Sequence, residues 1–437
     1  MVEIAVLSLV AALGGEAGEI EASAEARIRE HRTREVELRL LDSEGKPLPA
    51  GTRVDVAQAR HEFLFGCNIF ALGRFRTPEE NETYARRFAE LFNYATLPFY
   101  WWNYERERGR PDYAGTERFL DATKKAGIAA KGHPLAWNWV EPRWLPKDPK
   151  EAMRLQLDRI SACVERFRGA IEIWDVVNEA THYERPDPRE RAPVLTRAID
   201  EMGVGEYVRA AFRAARTANP SAVLVINDYR LDEEFERRVL KALVDEKGAP
   251  LYDAIGLQSH QHGGAIPLPR VWEVCERFAK YGKPLHWTET TFVSGEEGSD
   301  LARRRPGFRW TTTPEGEARQ ARCAVRFYTA LFSHPAVEAI TWWDFSDRGA
   351  WQGAPAGLLR EDLSPKPAYE ELLRLVKGAW WTRVSAEADG EGRVQFRGFF
   401  GEYRARAEAG GKTLEGTFSL RRRKPEAVVE VRLAPVT

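Results

Sequence analysis

From about Glu62 to Lys377, short apolar runs alternate with longer stretches whose apolar positions recur every three or four residues. The short runs read as strands: Phe63–Ile69, Tyr94–Pro98, Ile128–Leu135, Ile171–Asn178, Val223–Asn227, Ala254–Ser259, Pro284–Thr288 and Ala339–Trp343. The amphipathic stretches between them read as helices: Pro78–Phe92, Thr116–Ala126, Glu151–Phe167, Glu206–Ala218, Glu233–Asp245, Arg270–Tyr281 and Glu315–Phe332, with Ala368–Lys377 closing the series. Strands and helices in strict alternation, repeated this often, predict an α/β fold of the (β/α)8 barrel type, the TIM barrel. A doubly wound open sheet would need a glycine-rich phosphate loop after its first strand, and FGCNIFALGRF (Phe65 to Phe75) makes a poor one.

The flanks follow a period of two instead. Arg34–Leu41 and Val54–Arg60 read as strands joined by the turn-rich DSEGKPLPAG, and after Trp381 the runs GRVQFRGFF, EYRARAEA, KTLEGTFSL and AVVEVRL alternate in the same way. A barrel's first strand begins, and its last helix ends, on the face away from the strand C-termini. Both flanks are therefore expected to meet there as one accessory β-sandwich. The expected division is residues 1–25 as a leader or disordered segment, 26–61 as N-terminal strands of the accessory domain, 62–380 as the barrel and 381–437 as its C-terminal strands. Capping the barrel is the plainer role for the sandwich. Polysaccharide binding through Phe399, Phe400 and Tyr403 is the sharper one.

The chemistry lies at the ends of the predicted strands. IEIWDVVNEA (Ile171 to Ala180) is an apolar strand that stops abruptly at Asn178-Glu179, and KPLHWTET (Lys283 to Thr290) delivers Glu289 in the same way. A carboxyl group at the mouth of an apolar strand has its neutral form favoured by desolvation, as a general acid near neutral pH requires. In a parallel barrel the strand C-termini share one face, where His133, Asn178, Glu179, Asn227, Asp228, Gln258, His260, Glu289 and Asp344 would converge. Two glutamates in that setting suggest a glycoside-cleaving pair, about 5–5.5 Å apart if configuration is retained and about 6.5–9.5 Å apart if it is inverted.

Composition narrows the partners. The 65 basic and 66 acidic residues nearly cancel, leaving no global pull toward nucleic acid or an anionic membrane. The 14 tryptophans, several in pairs such as Trp101-Trp102 and Trp342-Trp343, suit a cleft in which sugar faces stack on indole rings. Cys67, Cys163, Cys275 and Cys323 lack metal-like spacing and read as free thiols. Ile4 to Leu13 has the length of a signal-peptide core and Ala22-Ser23-Ala24 resembles a cleavage site, yet no basic residue precedes the run and Glu3 is acidic. His260-Gln261-His262 with His133 and His286 admits a metal-dependent hydrolase, a reading that leaves the glutamate pair unexplained.

Across roughly Phe63 to Val376 the chain resembles glycoside hydrolase family 10, the retaining β-1,4-xylanases. WDVVNEA looks like that family's acid/base strand, which implies Glu179 as proton donor and Asn178 as the group holding the sugar's 2-hydroxyl. GHPLAWN is similar to the third-strand motif and implies His133 and Trp137 at the reacting sugar, while GLQSH implies Gln258 and His260 beside the nucleophile. WTET implies Glu289 as that nucleophile, and ITWWDFSDRGAW implies Trp343 and Trp351 as the roof over the sugar. GLLREDLSPKPAY is similar to the family's stretch leading into the last helix. The family usually carries Glu-Asn-x-x-Lys after the second strand, where this chain has LPFYWWNYE. It commonly has Asp two residues beyond the nucleophile, where Thr291 stands, and often His at the position of Asn138.

The resemblance implies hydrolysis of internal β-1,4-xylosidic bonds of xylan by double displacement, with no cofactor and no metal. The implied partner is a polysaccharide or oligosaccharide, bound by an extracellular or periplasmic monomer. The alternatives are a retaining β-glycosidase of the same fold with altered or exo specificity, for which Trp101 and Trp102 would block or rebuild one side of the cleft, and a non-catalytic carbohydrate-binding protein.

Overall fold

Runs such as YATLP and VLVIND lack any alternation of polar and apolar positions, which suits strands covered on both faces. In the computed structural model, which describes residues 15–299, 305, 307–423 and 426–436, they are strands of a closed barrel. The elements in chain order are β1 (Thr33–Leu41), β2 (Arg53–His61), β3 (Leu64–Asn68), β4 (Tyr94–Pro98), β5 (Ala129–His133), β6 (Ile173–Asn178), β7 (Val223–Asp228) and β8 (Ala254–Gln261). There follow β9 (Leu285–Phe292), β10 (Val337–Trp342), β11 (Arg383–Glu387), β12 (Arg393–Phe399), β13 (Gly401–Ala409), β14 (Lys412–Leu420), β15 (Val428–Arg432) and β16 (Ala434–Pro435). Strands β3 to β10 pair in sequence order and β10 closes on β3, giving the expected eight-stranded α/β barrel. Ile4 to Leu13 lies outside the described residues, and Ala22-Ser23-Ala24 sits at the junction of helices Glu16–Ala22 and Ala24–Arg32.

Local signals set the helix boundaries. Thr77 and Glu80 form a reciprocal capping box ahead of Pro78–Leu91, and Asp148 caps Pro149–Arg166 through the Glu151 amide. One expected helix is cut short. Glu233–Asp245 shrinks to Glu233–Phe235 and a π turn, Glu236–Leu240. Asp245 then accepts from the amides of Lys247 and Ala249, Gly248 takes φ 82°, and Val244 bridges Pro250. This Asx turn satisfies the backbone and competes with further helix.

The chain divides into two compact units. Among the described residues, one comprises Phe65–Cys323 and Ala336–Tyr369 and carries the barrel from Phe65 onward; the other comprises those up to Leu64, Ala324–Pro335 and those from Glu370 on. In the second unit, β1 lies between β12 and β15, while β2 lies between β11 and β13 in a sheet that continues through β14 to β16. Each N-terminal strand thus has C-terminal partners, as expected of a shared accessory domain. Val36, Leu38, Val54, Val56, Phe396, Ala405, Leu420 and Val431 of the two sheets form one apolar cluster. Tyr403 belongs to that cluster too, stacked on Phe418 at 5.0 Å with its hydroxyl donating to the Phe399 carbonyl. Phe400 packs against the same core and Phe399 meets the His61 ring. These three aromatics are therefore packing residues, which corrects the expectation that they offer a polysaccharide-binding face.

Inside the barrel, close approach fixes one residue type. A Cβ on Gly132 of β5 would overlap the Trp174 indole, a fully buried ring on neighbouring β6. Gly132→Ala should therefore cost about 1–3 kcal/mol of stability. Urea unfolding would show it as a lower midpoint at unchanged slope, and an unaltered midpoint would mean that the indole is free to move.

Candidate active site

Strand β6 ends in a backbone conformation that few side chains tolerate. Glu179 takes φ 56°, ψ 40°, the left-handed region, where a residue with a Cβ costs on the order of 1–3 kcal/mol. Neighbouring strands hold it there: the Glu179 amide donates to the Asn227 carbonyl at 2.8 Å, and the Asn178 amide donates to that of Ala136 at 2.9 Å. Three strands on from β6, Glu289 leaves the wall at β9, five positions into a strand buried along its whole length.

Both carboxyl groups line one cavity of about 570 Å³, in the size range of small-molecule sites. Among the expected site residues, His133, Trp137, Asn178, Gln258, His260, Trp343 and Trp351 line the same cavity. Three others expected to converge there do not line it. Asn227 lies behind the wall and acts through hydrogen bonds. Asp228 accepts from the amides of Thr181 and Arg230, and Asp344 faces a second cavity.

A mesh of amides joins the two acids. Asn227 Nδ2 donates to Glu289 Oε1 at 2.9 Å and to Asn178 Oδ1 at 2.7 Å, while its own Oδ1 accepts from Thr288 at 2.5 Å. Gln258 Nε2 donates to Asn178 Oδ1 at 3.1 Å and reaches Glu179 Oε1 at 3.4 Å. His260 Nε2 donates to Glu289 Oε2 at 3.1 Å, and its Nδ1 lies 3.3 Å from the Thr291 hydroxyl. Behind them, Asp175 Oδ2 is 2.7 Å from both Lys131 Nζ and His133 Nδ1, and all three side chains are buried. The bond to Asp175 leaves His133 Nε2 turned toward Glu289, 3.9 Å away.

The environments push the two acids apart. Burial raises the pKa of Glu179, and the charge of Glu289 adds to that rise; the Arg185 guanidinium, 2.5 Å from its Oε2, opposes it without cancelling it. Burial acts on Glu289 as well, but there the His260 hydrogen bond and the charges of His133, His260 and Lys131 outweigh it and hold the pKa low. One group is thus biased to keep a proton and the other to stay ionised, the signature of an acid and a base in one site.

Aromatic rings form the rest of the wall. Trp351, 44% exposed, lies over His260 at 4.5 Å, while Trp343 is buried edge-on to His133 at 5.2 Å. Trp102, expected at one side of the cleft, lines the cavity, as do Tyr100, Trp139, Arg185 and Tyr229, none of which a motif singled out as a site residue. Tyr100 sits 5.5 Å edge-on to His133, and Trp137 stacks on Trp139 at 5.4 Å and 12°. Trp101 faces away. It packs with Leu145, Ala192 and Leu195 and donates to Glu105, so of the tryptophan pair only Trp102 reaches the cleft. Asn138 is likewise structural, donating to the Tyr183 carbonyl and the Thr196 hydroxyl. His262 packs between Trp310 and Trp351, and among the described residues no group of three or more His, Cys, Asp or Glu side chains is placed to hold a metal. No helix among the described residues is long and apolar enough to cross a membrane.

The chain is 26% identical over 397 residues to anti-sigma-I factor RsgI6 of Acetivibrio thermocellus, covering 89% of this chain but 47% of that protein. It is 29% identical over 294 residues to endo-1,4-beta-xylanase B of Thermotoga neapolitana, covering 63% of this chain and 78% of the relative. Among solved structures, xylanase 10B from Thermotoga petrophila RKU-1, in complex with xylobiose, aligns with a TM-score of 0.58 at 25% identity over 72% of this chain and 94% of its own. The model of glycosyl hydrolase family 10 matches residues 57–375, nearly the whole barrel and its approach, and the chain belongs to that family.

Proposed function

We propose that this chain is a retaining endo-1,4-β-xylanase, acting on internal β-1,4-xylosidic bonds of xylan as an extracellular or periplasmic monomer. The observation that carries the reading is the pair Glu179 and Glu289, set into one cavity with their protonation biased in opposite directions. In the first step ionised Glu289 attacks the anomeric carbon while Glu179 gives its proton to the departing glycosidic oxygen. The bond to the leaving sugar breaks as the glycosyl–Glu289 ester forms. Water then enters, Glu179 takes its proton, and the ester carbon is released with its original configuration.

The remaining residues take roles that their contacts support. His260 and Asn227 hold the two oxygens of Glu289 in position for in-line attack. Asn178, pinned by Asn227 and Gln258, offers its amide to the sugar's 2-hydroxyl, where a hydrogen bond strengthens as the oxocarbenium character grows. His133 and Gln258 supply further polar contacts, and Trp137, Trp343 and Trp351 stack on the sugar faces. Arg185 favours the ionised form of Glu179, which suits the moment after the proton has left and the step in which Glu179 acts as base.

A non-catalytic carbohydrate-binding protein is the second reading. It is favoured by the anti-sigma factor relative, whose match extends over 89% of this chain. The aromatic wall at Tyr100 and Trp102 bears on specificity within the first reading, since stacking there replaces polar recognition of one sugar.

Product analysis on xylan, mixed-linkage glucan and short aryl glycosides, with anomeric configuration followed by NMR, separates these readings. Retained configuration and internal cleavage of xylan are expected. Binding without release of reducing ends would favour the non-catalytic reading. Glu289→Ala should lower kcat by at least on the order of 10³-fold, and substantial residual turnover in a clean preparation would refute its role as nucleophile. Glu179→Ala should slow substrates with poor leaving groups by roughly 10²–10⁴-fold while largely sparing activated aryl glycosides, and equal losses on both would count against the acid/base assignment. Arg185→Ala removes the cation that favours ionised Glu179, so the alkaline limb of the kcat/KM profile should move to higher pH. A limb that stays put would show that the ion pair does not survive in the working enzyme.

A further inference from the structure

A second cavity of about 380 Å³ adjoins the first and shares Tyr100, Trp343 and Trp351 with it. Phe70 meets Tyr100 edge-on at 5.8 Å and Trp343 at 5.6 Å, so these three rings form the partition between the two spaces. The volume lies toward the lower end of small-molecule sites.

The two spaces differ in their charged groups. The first cavity holds both glutamates with Arg185 paired to one of them, whereas the second is lined by two guanidinium groups, Arg74 and Arg348, and one carboxyl group. Arg348 is already committed: it pairs with Glu80 at 2.8 Å and its guanidinium lies over the Phe75 ring at 5.3 Å. Arg74 is exposed and has no ion-pair partner among the described residues. Asn68 accepts from the Phe70 amide through Oδ1, and among the described residues its Nδ2 makes no hydrogen bond. Asp344 is the carboxyl group in the lining. It is buried, one of its oxygens accepts from the Trp351 amide at 3.1 Å, and burial pushes its pKa up to about 6. In mildly acidic solution it therefore offsets little of the positive charge.

A neutral sugar chain passing Glu179 and Glu289 has no use for an uncommitted guanidinium on the far side of an aromatic partition. A sugar branch bearing a carboxylate does, because a guanidinium–carboxylate contact is both strong and directional. We propose that the second cavity is a branch pocket that receives a uronic acid substituent of the glycan, with Arg74 as its anion contact and the Asn68 amide as a donor to its hydroxyls. The proposal rests on the glycosidase reading and adds to it the substituted class of substrate.

Titration calorimetry and kcat/KM on three oligosaccharides of equal xylose backbone test it: one unbranched, one with a single glucuronic acid branch and one with a single arabinose branch. The wild-type protein should favour the acid-branched compound over the unbranched one by on the order of tenfold, with a margin that shrinks as salt rises. Arg74→Met should erase that margin while leaving the unbranched compound unaffected, and Arg74→Lys should restore part of it. Equal affinity for all three compounds, or a margin that survives Arg74→Met, overturns the proposal. An equal gain from the arabinose branch overturns the anion assignment. If the unbranched compound is cleaved with no acid preference, the branch pocket alone falls; if it is neither bound nor cleaved, the glycosidase reading falls and takes the pocket with it.

Discussion

An ionised carboxylate can sit inside a barrel mouth only if hydrogen-bond donors replace the water it has lost, and the site is arranged around that requirement at Glu289. Both of its oxygens are met, one by Asn227 and the other by His260. Asn227 can donate because Thr288 takes up its own acceptor oxygen, which fixes the amide's orientation. The same amide then orients Asn178, and Asn178 and Gln258 carry the order on to Glu179. Four successive strands, β6 to β9, supply these groups, so the register of the barrel and the polarity of the site are one problem. A slip of a single residue in any of them would turn its contribution toward the helices.

Behind this layer lies a costlier one. Lys131, Asp175 and His133 are buried together, and taking charges out of water is repaid only when geometry and neighbouring bonds are good. The low pKa of Asp175 fits that condition, since its desolvation is outweighed by Lys131 and His133. The triad's effect on the cavity is indirect. It fixes the His133 ring through Nδ1, so that Nε2 faces Glu289, and Lys131 adds positive charge that favours the ionised form of Glu289. Thr291 does the corresponding work for His260. A hydroxyl beside Nδ1 can hold the ring's orientation without adding a second buried anion next to Glu289, which an aspartate at that position would do.

The barrel was legible because its strands are apolar on both faces and its helices carry a clear three-to-four-residue period; both signals are local. The two glutamates were legible for a related reason, since a polar pair ending an otherwise apolar run is a local anomaly. The residues that escaped were those whose placement depends on loops. Arg185 and Tyr229 reach the cavity from segments that follow β6 and β7, and nothing in their neighbourhood distinguishes them from solvated side chains. Trp101 and Trp102 show the limit most clearly. They occupy consecutive positions of the short helix Trp101–Tyr104, where neighbours point about 100° apart, so a shared role in the cleft was excluded by geometry that the bare pair did not reveal. Phe399, Phe400 and Tyr403 failed in the opposite sense: a period of two marks which positions alternate, but only the partner sheet decides which side is core.

The aromatic loop after β4 has a consequence for how binding energy is distributed. Polar groups reading individual hydroxyls discriminate among sugars strongly, because a wrong partner leaves a buried donor or acceptor unpaired. Rings that stack on sugar faces grip firmly but discriminate weakly. Tyr100 and Trp102 place the second kind of contact beside Glu179 and Glu289, and burial together with the charges of Glu289 and Glu179 keeps the Tyr100 phenol protonated. Selectivity must then be supplied elsewhere along the chain of sugars. The second cavity, lined by Arg74 and sharing the ring of Tyr100, is a place where it can be recovered, since a charged branch is read with a contrast that stacking cannot provide.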